Sequence, residues 1–200
     1  MECVQEIKFK TGKVLKIYQD DSAESPRDWD NLGEIVCFHS RYNIGDSHNY
    51  KDGREFSYDT KKGDVVLPIY LYDHSGITIR TEPFNDAWDS GQVGYIRCSK
   101  KKMIEEYDKS YDPEKIKEYL KGEVKTLDQY LKGEVYGYTL LEPKTCEHCN
   151  HTEEEEIDSC WGFYGQDIKT NGMLDNLPEA ERFEILGYNN ATSFIKSEDS

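Results

Sequence analysis

Apolar and polar positions alternate from the start of the chain. In "VQEIKFKTGKVLKIYQDD" (4–21), Ile7 and Phe9 alternate with charged residues, Thr11-Gly12 interrupts, and Val14 to Tyr18 resumes the alternation. A period of two on both sides of a turn predicts a β-hairpin. "EIVCFHS" (34–40) reads as a buried strand. "VVLPIYLYDHSGITIRT" (65–81) is the clearest β pattern, two β-rich runs flanking the turn residues Asp73-His74-Ser75-Gly76. "QVGYIRCS" (92–99) is a further strand. At residue 112 the period changes. Asp112 suits an N-cap, Pro113 the first helical position, and Ile116, Leu120, Val124, Leu127 and Leu131 fall on one helical face. Gly133 is placed to end that helix. "VYGYTLLE" (135–142) then reads as a strand and "SCWGFYG" (159–165) as its partner.

The remaining segments are weaker. Residues 22–33 are turn-rich, with a short helical turn expected around Trp29. Residues 41–64 are polar and glycine-bearing and read as a long loop. "NGMLDNLPEAERFEIL" suggests short helical pieces. The hexapeptide "YLKGEV" occurs at 119–124 and again at 130–135. Eleven residues is about three helical turns, so the copies are expected to share one helix face. Together the elements predict an α+β fold, a mainly antiparallel sheet packed against one long helix (about 112–132) with short additional helices. Strands and helices do not alternate regularly, which argues against a doubly wound sheet. A length of 200 residues suits a single domain, 1–200, with an acidic Cys/His loop insertion around 143–159.

Composition changes the picture in two ways. The chain is 36% hydrophobic but 12% aromatic, with fifteen tyrosines and three tryptophans, so aromatic side chains carry much of the core and of any recognition surface. The net charge of −15 is uneven. Residues 141–200 hold 14 acids against 4 Lys or Arg, about −10, which leaves about −5 for residues 1–140. Such a field repels nucleic acid and anionic membranes and suits a basic partner surface. "MECVQEIKFKTGK" lacks the apolar core of a secretory signal, and no apolar run approaches a membrane span. The expectation is a cytoplasmic chain with free thiols.

One segment draws the eye to metal chemistry. "TCEHCNHTEEEEIDSCWGFYG" (145–165) places Cys146, His148, Cys149 and His151 within six residues, with Cys160 nine further on. A Cys-x-x-Cys pair is half of a zinc site. Cys146, Cys149, His151 and Cys160 are therefore the candidate ligands of a structural zinc. No second cysteine knuckle follows at the usual spacing.

Several longer phrases resemble a known family. "SPRDWDNLG", "CFHSRYNIGD", "LPIYLYDHSGITI", "WDSGQVGYI", "LDQYLKGEVYGY" and "DSCWGFYG", in that order over roughly residues 24–176, resemble a family of hypothetical proteins from phages, prophages and plasmids of Firmicutes. The resemblance implies a mobile-element context and no particular activity. Small acidic phage proteins are often similar to inhibitors of host defence, including anti-CRISPR and antirestriction proteins.

The leading expectation is therefore an anti-defence protein without catalytic activity, acting in the host bacterial cell. Its partner would be a host defence protein with a basic surface, such as a CRISPR effector. Glu153, Glu154, Glu155, Glu156, Asp158 and Asp167 would supply charge complementarity, and Trp29, Tyr42 and Trp88 the aromatic anchors. The alternative is a metal-dependent, hydrolase- or nuclease-like enzyme. Asp30, His39, Arg41, Asp46, Asp73, His74 and Asp89 fall at predicted strand ends and turns. Of these, His39, Asp73, His74 and Asp89 are the catalytic candidates, provided that they converge.

Overall fold

The computed structural model describes residues 3–86 and 88–187. The protein is α+β with antiparallel sheets, as the patterning predicts, but it has two four-stranded sheets where one was expected. The described residues divide into two compact units. Glu24–Lys132 form the second unit. The residues before and after it form the first.

The first unit begins with the expected hairpin, β1 (Cys3–Lys8) and β2 (Val14–Gln19). Its other two strands come from beyond the second unit: β7 (Val135–Thr145) and β8 (Thr152–Tyr164). β2 pairs with β7 from Val14↔Leu141 to Gln19↔Tyr136, giving the order β1-β2-β7-β8. Two short helices, α4 (Met173–Asn176) and α5 (Glu179–Leu186), follow. Met173, Leu174 and Leu177 join Leu15, Ile17, Tyr138, Leu140 and Phe163 in a core confined to this unit.

The second unit is therefore an insertion between β2 and β7. Its strands are β3 (Glu34–Cys37), β4 (Val65–Asp73), β5 (Ile77–Arg80) and β6 (Ser90–Cys98), in the order β3-β6-β4-β5. The long helix is α3, Pro113–Leu131, close to the expected 112–132. Asp112 accepts from the Glu114 N–H at 3.0 Å, and Gly133 follows with φ 69°. Ile116, Leu120, Val124 and Leu127 are buried against Ile35, Ile69, Leu71, Ile79 and Ile96 in the unit's own core, with Leu131 at its margin.

Two helices escape the sequence reading. α1 (Gly53–Asp59) lies in the segment read as a loop, and α2 is Lys100–Tyr107. Each buries a single side chain, Phe56 and Met103, so neither shows an apolar stripe. Each is instead set by its cap: Asp52 accepts from Arg54 and Glu55 N–H, and Ser99 from Lys102 N–H. The "YLKGEV" repeat is also not one helical face. Its first copy lies within α3, while the second crosses the helix end and enters β7. Near the start of the unit, the helical turn is at Pro26–Asp28, just before Trp29.

Strand β6 packs closely against β3. A Cβ at Gly94 would lie 2.1 Å from the Val36 carbonyl oxygen, whereas one at Gly91, in the same strand, would meet nothing within 4 Å. Gly94→Ala is expected to destabilise the protein by about 2 kcal/mol or more, and Gly91→Ala to stay within about 0.5 kcal/mol of wild type. Denaturant unfolding of both variants checks this; equal effects would mean that β3 and β6 are not so closely paired.

Candidate functional site

Three segments of the second unit meet at the outer end of β4. The loop 38–48 brings His39, Arg41 and Tyr42. β4 ends on Asp73, and the chain before β6 brings Trp88 and Asp89. Asp73 N–H donates to the Asp89 carbonyl at 2.8 Å, which fixes these two residues side by side. Arg41 Nη1 and the Tyr42 hydroxyl donate to one Asp73 oxygen, at 2.9 and 3.0 Å. His74 Nδ1 lies 3.1 Å from Asp89 Oδ2. His39, Arg41, Asp73, Trp88 and Asp89 line one cleft of about 570 Å³.

Local chemistry explains the placement. Asp86 Oδ1 accepts the N–H groups of Trp88 and Asp89, at 2.8 and 3.1 Å, which ties these two residues to it just before β6. These two N–H groups, Trp88 first, hold the Asp86 carboxyl below its usual range. His39 is oriented from behind: its Nδ1 accepts from the Arg41 and Tyr42 N–H groups, at 3.2 and 3.1 Å, and its ring stacks on Tyr42. With Nδ1 occupied as an acceptor, the neutral ring carries its proton on Nε2. His39 is thus arranged to donate a hydrogen bond. Both cleft carboxylates already have partners, and Ser90 Oγ donates to the Asp86 carbonyl.

Three of the four catalytic candidates line one cleft. His39, Asp73 and Asp89 share the cleft, and His74 reaches it through Asp89. The other members of the constellation do not. Asp30 is almost fully exposed and lies 3.9 Å from Lys102. Asp46 is structural, its carboxylate taken by Arg27 and by the Ile35 N–H. Asp86 was missed by sequence reading, although Asp86-x-x-Asp89 is the spacing of such a contact. Of the aromatic candidates, Trp88 is 96% exposed, Trp29 is partly exposed, and Tyr42 is half-buried and engaged in the cleft.

The acidic and thiol candidates lie in the first unit. β2 covers β7 only as far as Leu141. Beyond that, β7 and β8 continue as a two-stranded ribbon, paired from Glu142↔Glu155 to Thr145↔Thr152, in which every residue from 142 to 157 is exposed. The expected loop insertion is thus an ordered β-ribbon. Lys16 pairs with Glu154 at 2.6 Å and Lys144 with Glu155 at 2.8 Å. Among the described residues, Glu153 and Glu156 have no ion-pair partner. Asp158 is turned to internal use, accepting the Tyr138 hydroxyl at 2.8 Å, and Asp167 caps the turn that follows β8.

The expected four-ligand zinc site does not form within the chain. Cys160 pairs with Tyr138, which lies seven residues back along β7 from Thr145. At strand rise that is roughly 23 Å from the ribbon's end, so Cys160 cannot join Cys146 and Cys149. Among the described residues, no group of three or more His, Cys, Asp or Glu side chains is placed to hold a metal ion. What remains at the tip is the Cys146–Cys149 pair. The N–H groups of His148 and Cys149, and then the Cys149 thiol, hold Cys146 below the usual thiol range.

Among the described residues, no helix is long and apolar enough to cross a membrane. Comparison with protein-family models, with curated proteins and with solved structures finds no match.

The six cysteines are all free thiols, and the two extremes differ in a testable way. Cys98 is fully buried, and burial pushes its thiol up to about 11. Cys146 is exposed and shifted down. Since the thiolate is the reactive form, a lower pKa moves the onset of alkylation to lower pH. Cys146 is expected to be carboxymethylated in the native protein at pH 7, with Cys98 unmodified there and at pH 9. Peptide mass mapping after timed iodoacetate exposure checks this; labelling of Cys98 at the rate of Cys146 would contradict the burial.

Proposed function

We propose that the protein is a mobile-element-encoded binding protein that inhibits a host defence nuclease. Its acidic ribbon would occupy the basic groove in which that nuclease holds nucleic acid. The observation that supports this reading is the ribbon itself. Residues 142–157 form an ordered two-stranded arm with no buried side chain, carrying six glutamates against the single basic residue Lys144. A two-stranded ribbon without an apolar face is marginal in water. A partner surface that neutralises its charge would stabilise it, and the electrostatic match would speed association. Nucleic acid would be the competitor rather than the ligand, and the host cytoplasm the place of action.

The test is capture from host lysate with the tagged protein, followed by identification and competition. The expected outcome is retention of a nucleic-acid enzyme that is released by about 500 mM salt and displaced by added DNA or RNA. Replacing Glu153, Glu154, Glu155 and Glu156 together by Gln should weaken binding roughly tenfold or more. Retention that is indifferent to salt, to nucleic acid and to these substitutions would end the charge-mimicry reading.

A second reading, a small-molecule or hydrolytic site, is favoured by the convergence of His39, Asp73 and Asp89 in one cleft beside the exposed Trp88. The indole offers a flat apolar face, and His39 Nε2 and Arg41 offer donors to an anionic group. On this reading a nucleotide or related aromatic anion should raise the melting temperature. The rise should be lost in Trp88→Ala and in His39→Ala. A thermal-shift screen of such compounds with no response would remove it.

A further inference from the structure

The thiol pair at the ribbon tip is left unused by both readings, and its surroundings are specific. Thr145 Oγ1 and Thr152 Oγ1 are 2.9 Å apart across the last rung. Cys146 N–H donates to the His151 carbonyl at 2.8 Å and Asn150 N–H to the Cys146 carbonyl at 2.9 Å. Asn150 has φ 54°, the left-handed conformation that turns the chain back into β8. The loop so closed carries Cys146 and Cys149 three residues apart on one tight turn. Two exposed thiols thus share one apex.

A tetrahedral zinc ion needs four such ligands, at about 2.3 Å for thiolate sulfur. Among the described residues, the tip supplies two. Cys160 is too far down the ribbon, and no third His, Cys, Asp or Glu side chain joins the pair among the described residues. The apex is narrow, a six-residue connection on a fully exposed ribbon, so a second apex can approach it closely.

We propose that two copies of this chain meet tip to tip on one zinc ion, each contributing Cys146 and Cys149 to a four-thiolate site. Each thiol gives up its proton to solvent as it binds, so the ion replaces protons and no oxidant or reductant is involved. Without metal the two tips repel, because each ribbon carries six glutamates. Association is therefore metal-dependent, and salt strengthens it by screening the ribbons from one another. That salt dependence is opposite in sign to the one expected for a basic partner. The inference does not rest on the proposed inhibition, which involves the carboxylates and can be tested separately with a chelator present.

The experiment uses the full chain, reduced and stripped of metal, titrated with zinc chloride. Zinc bound per chain is measured by competition with a chromophoric chelator and molar mass by sedimentation. The expected result is one zinc per two chains with a doubling of mass that a chelator reverses. Cys146→Ser and Cys149→Ser should each abolish both effects, while the double variant His148→Ala, His151→Ala keeps both. These positions are exposed, so the variants should fold, as circular dichroism would verify. Cobalt substitution gives an independent reading, since four thiolates produce strong charge-transfer and tetrahedral ligand-field bands. One zinc per chain at unchanged mass, loss of binding in the histidine variant, or no zinc uptake would each overturn the proposal.

Discussion

Arg27 joins three segments of the second unit that are far apart in sequence. Its Nε and Nη2 hold the two oxygens of Asp46 at 2.9 and 2.6 Å, Nη2 also reaches the Gly33 carbonyl at 2.7 Å, and Nη1 lies 3.3 Å from Glu123 of α3. The carboxylates are used again from the other side. Glu123 accepts from Leu32 and Gly33 N–H, and Asp46 from Ile35 N–H. The guanidinium is about nine-tenths buried. A buried charge of this kind is tolerable only when its donors are matched, and removing one partner from such a pair costs about 3–5 kcal/mol. The network pins the start of the unit, the loop after β3 and the long helix to one another. Because that loop carries His39, Arg41 and Tyr42, the cleft depends on an interaction that contributes nothing to its lining chemistry.

This dependence also shows why the cleft was only partly legible in the sequence. His39, Asp73, His74 and Asp89 could be selected as chemistry-bearing residues at strand ends, and three of them share the cleft. Their partners could not be assigned. Asp46 and Asp73 look alike as aspartates in turn-rich segments, yet one is held by Arg27 and one by Arg41 and Tyr42. The difference lies in contacts spanning 19 to 32 residues, which no local pattern encodes. The strands and α3 were legible because each buries one face and so imposes a period of 2 or 3.6 on its sequence. α1 and α2 bury one residue each and leave no period to read.

The same reasoning accounts for the two sheets. Each predicted strand is present, but alternation says which face is buried and not which strand is the neighbour. β2 finds its partner in β7, across more than a hundred residues, and the intervening chain closes a sheet and a core of its own. Counting strands into one sheet was natural from the sequence. The separate cores make two sheets the better use of the apolar residues, since each sheet buries one face against its own helices.

The ribbon beyond Leu141 follows a different rule. Over the sheet, β7 and β8 bury Tyr138, Leu140 and Phe163. Past it, pairing continues but burial stops, and the side chains become Glu, Lys, Thr, Cys and His. Two cross-strand contacts, Lys144 with Glu155 and Thr145 with Thr152, support it, but exposed pairs contribute little. An edge this long would invite non-specific strand addition were it apolar; charge on both strands guards against that. The ribbon thus combines an open backbone edge, a repulsive flank and a soft-ligand apex in sixteen residues. Its own packing does not explain why the chain extends so far past its core. The proposed occupants, a basic groove along the flank and a second copy at the tip, would each account for it.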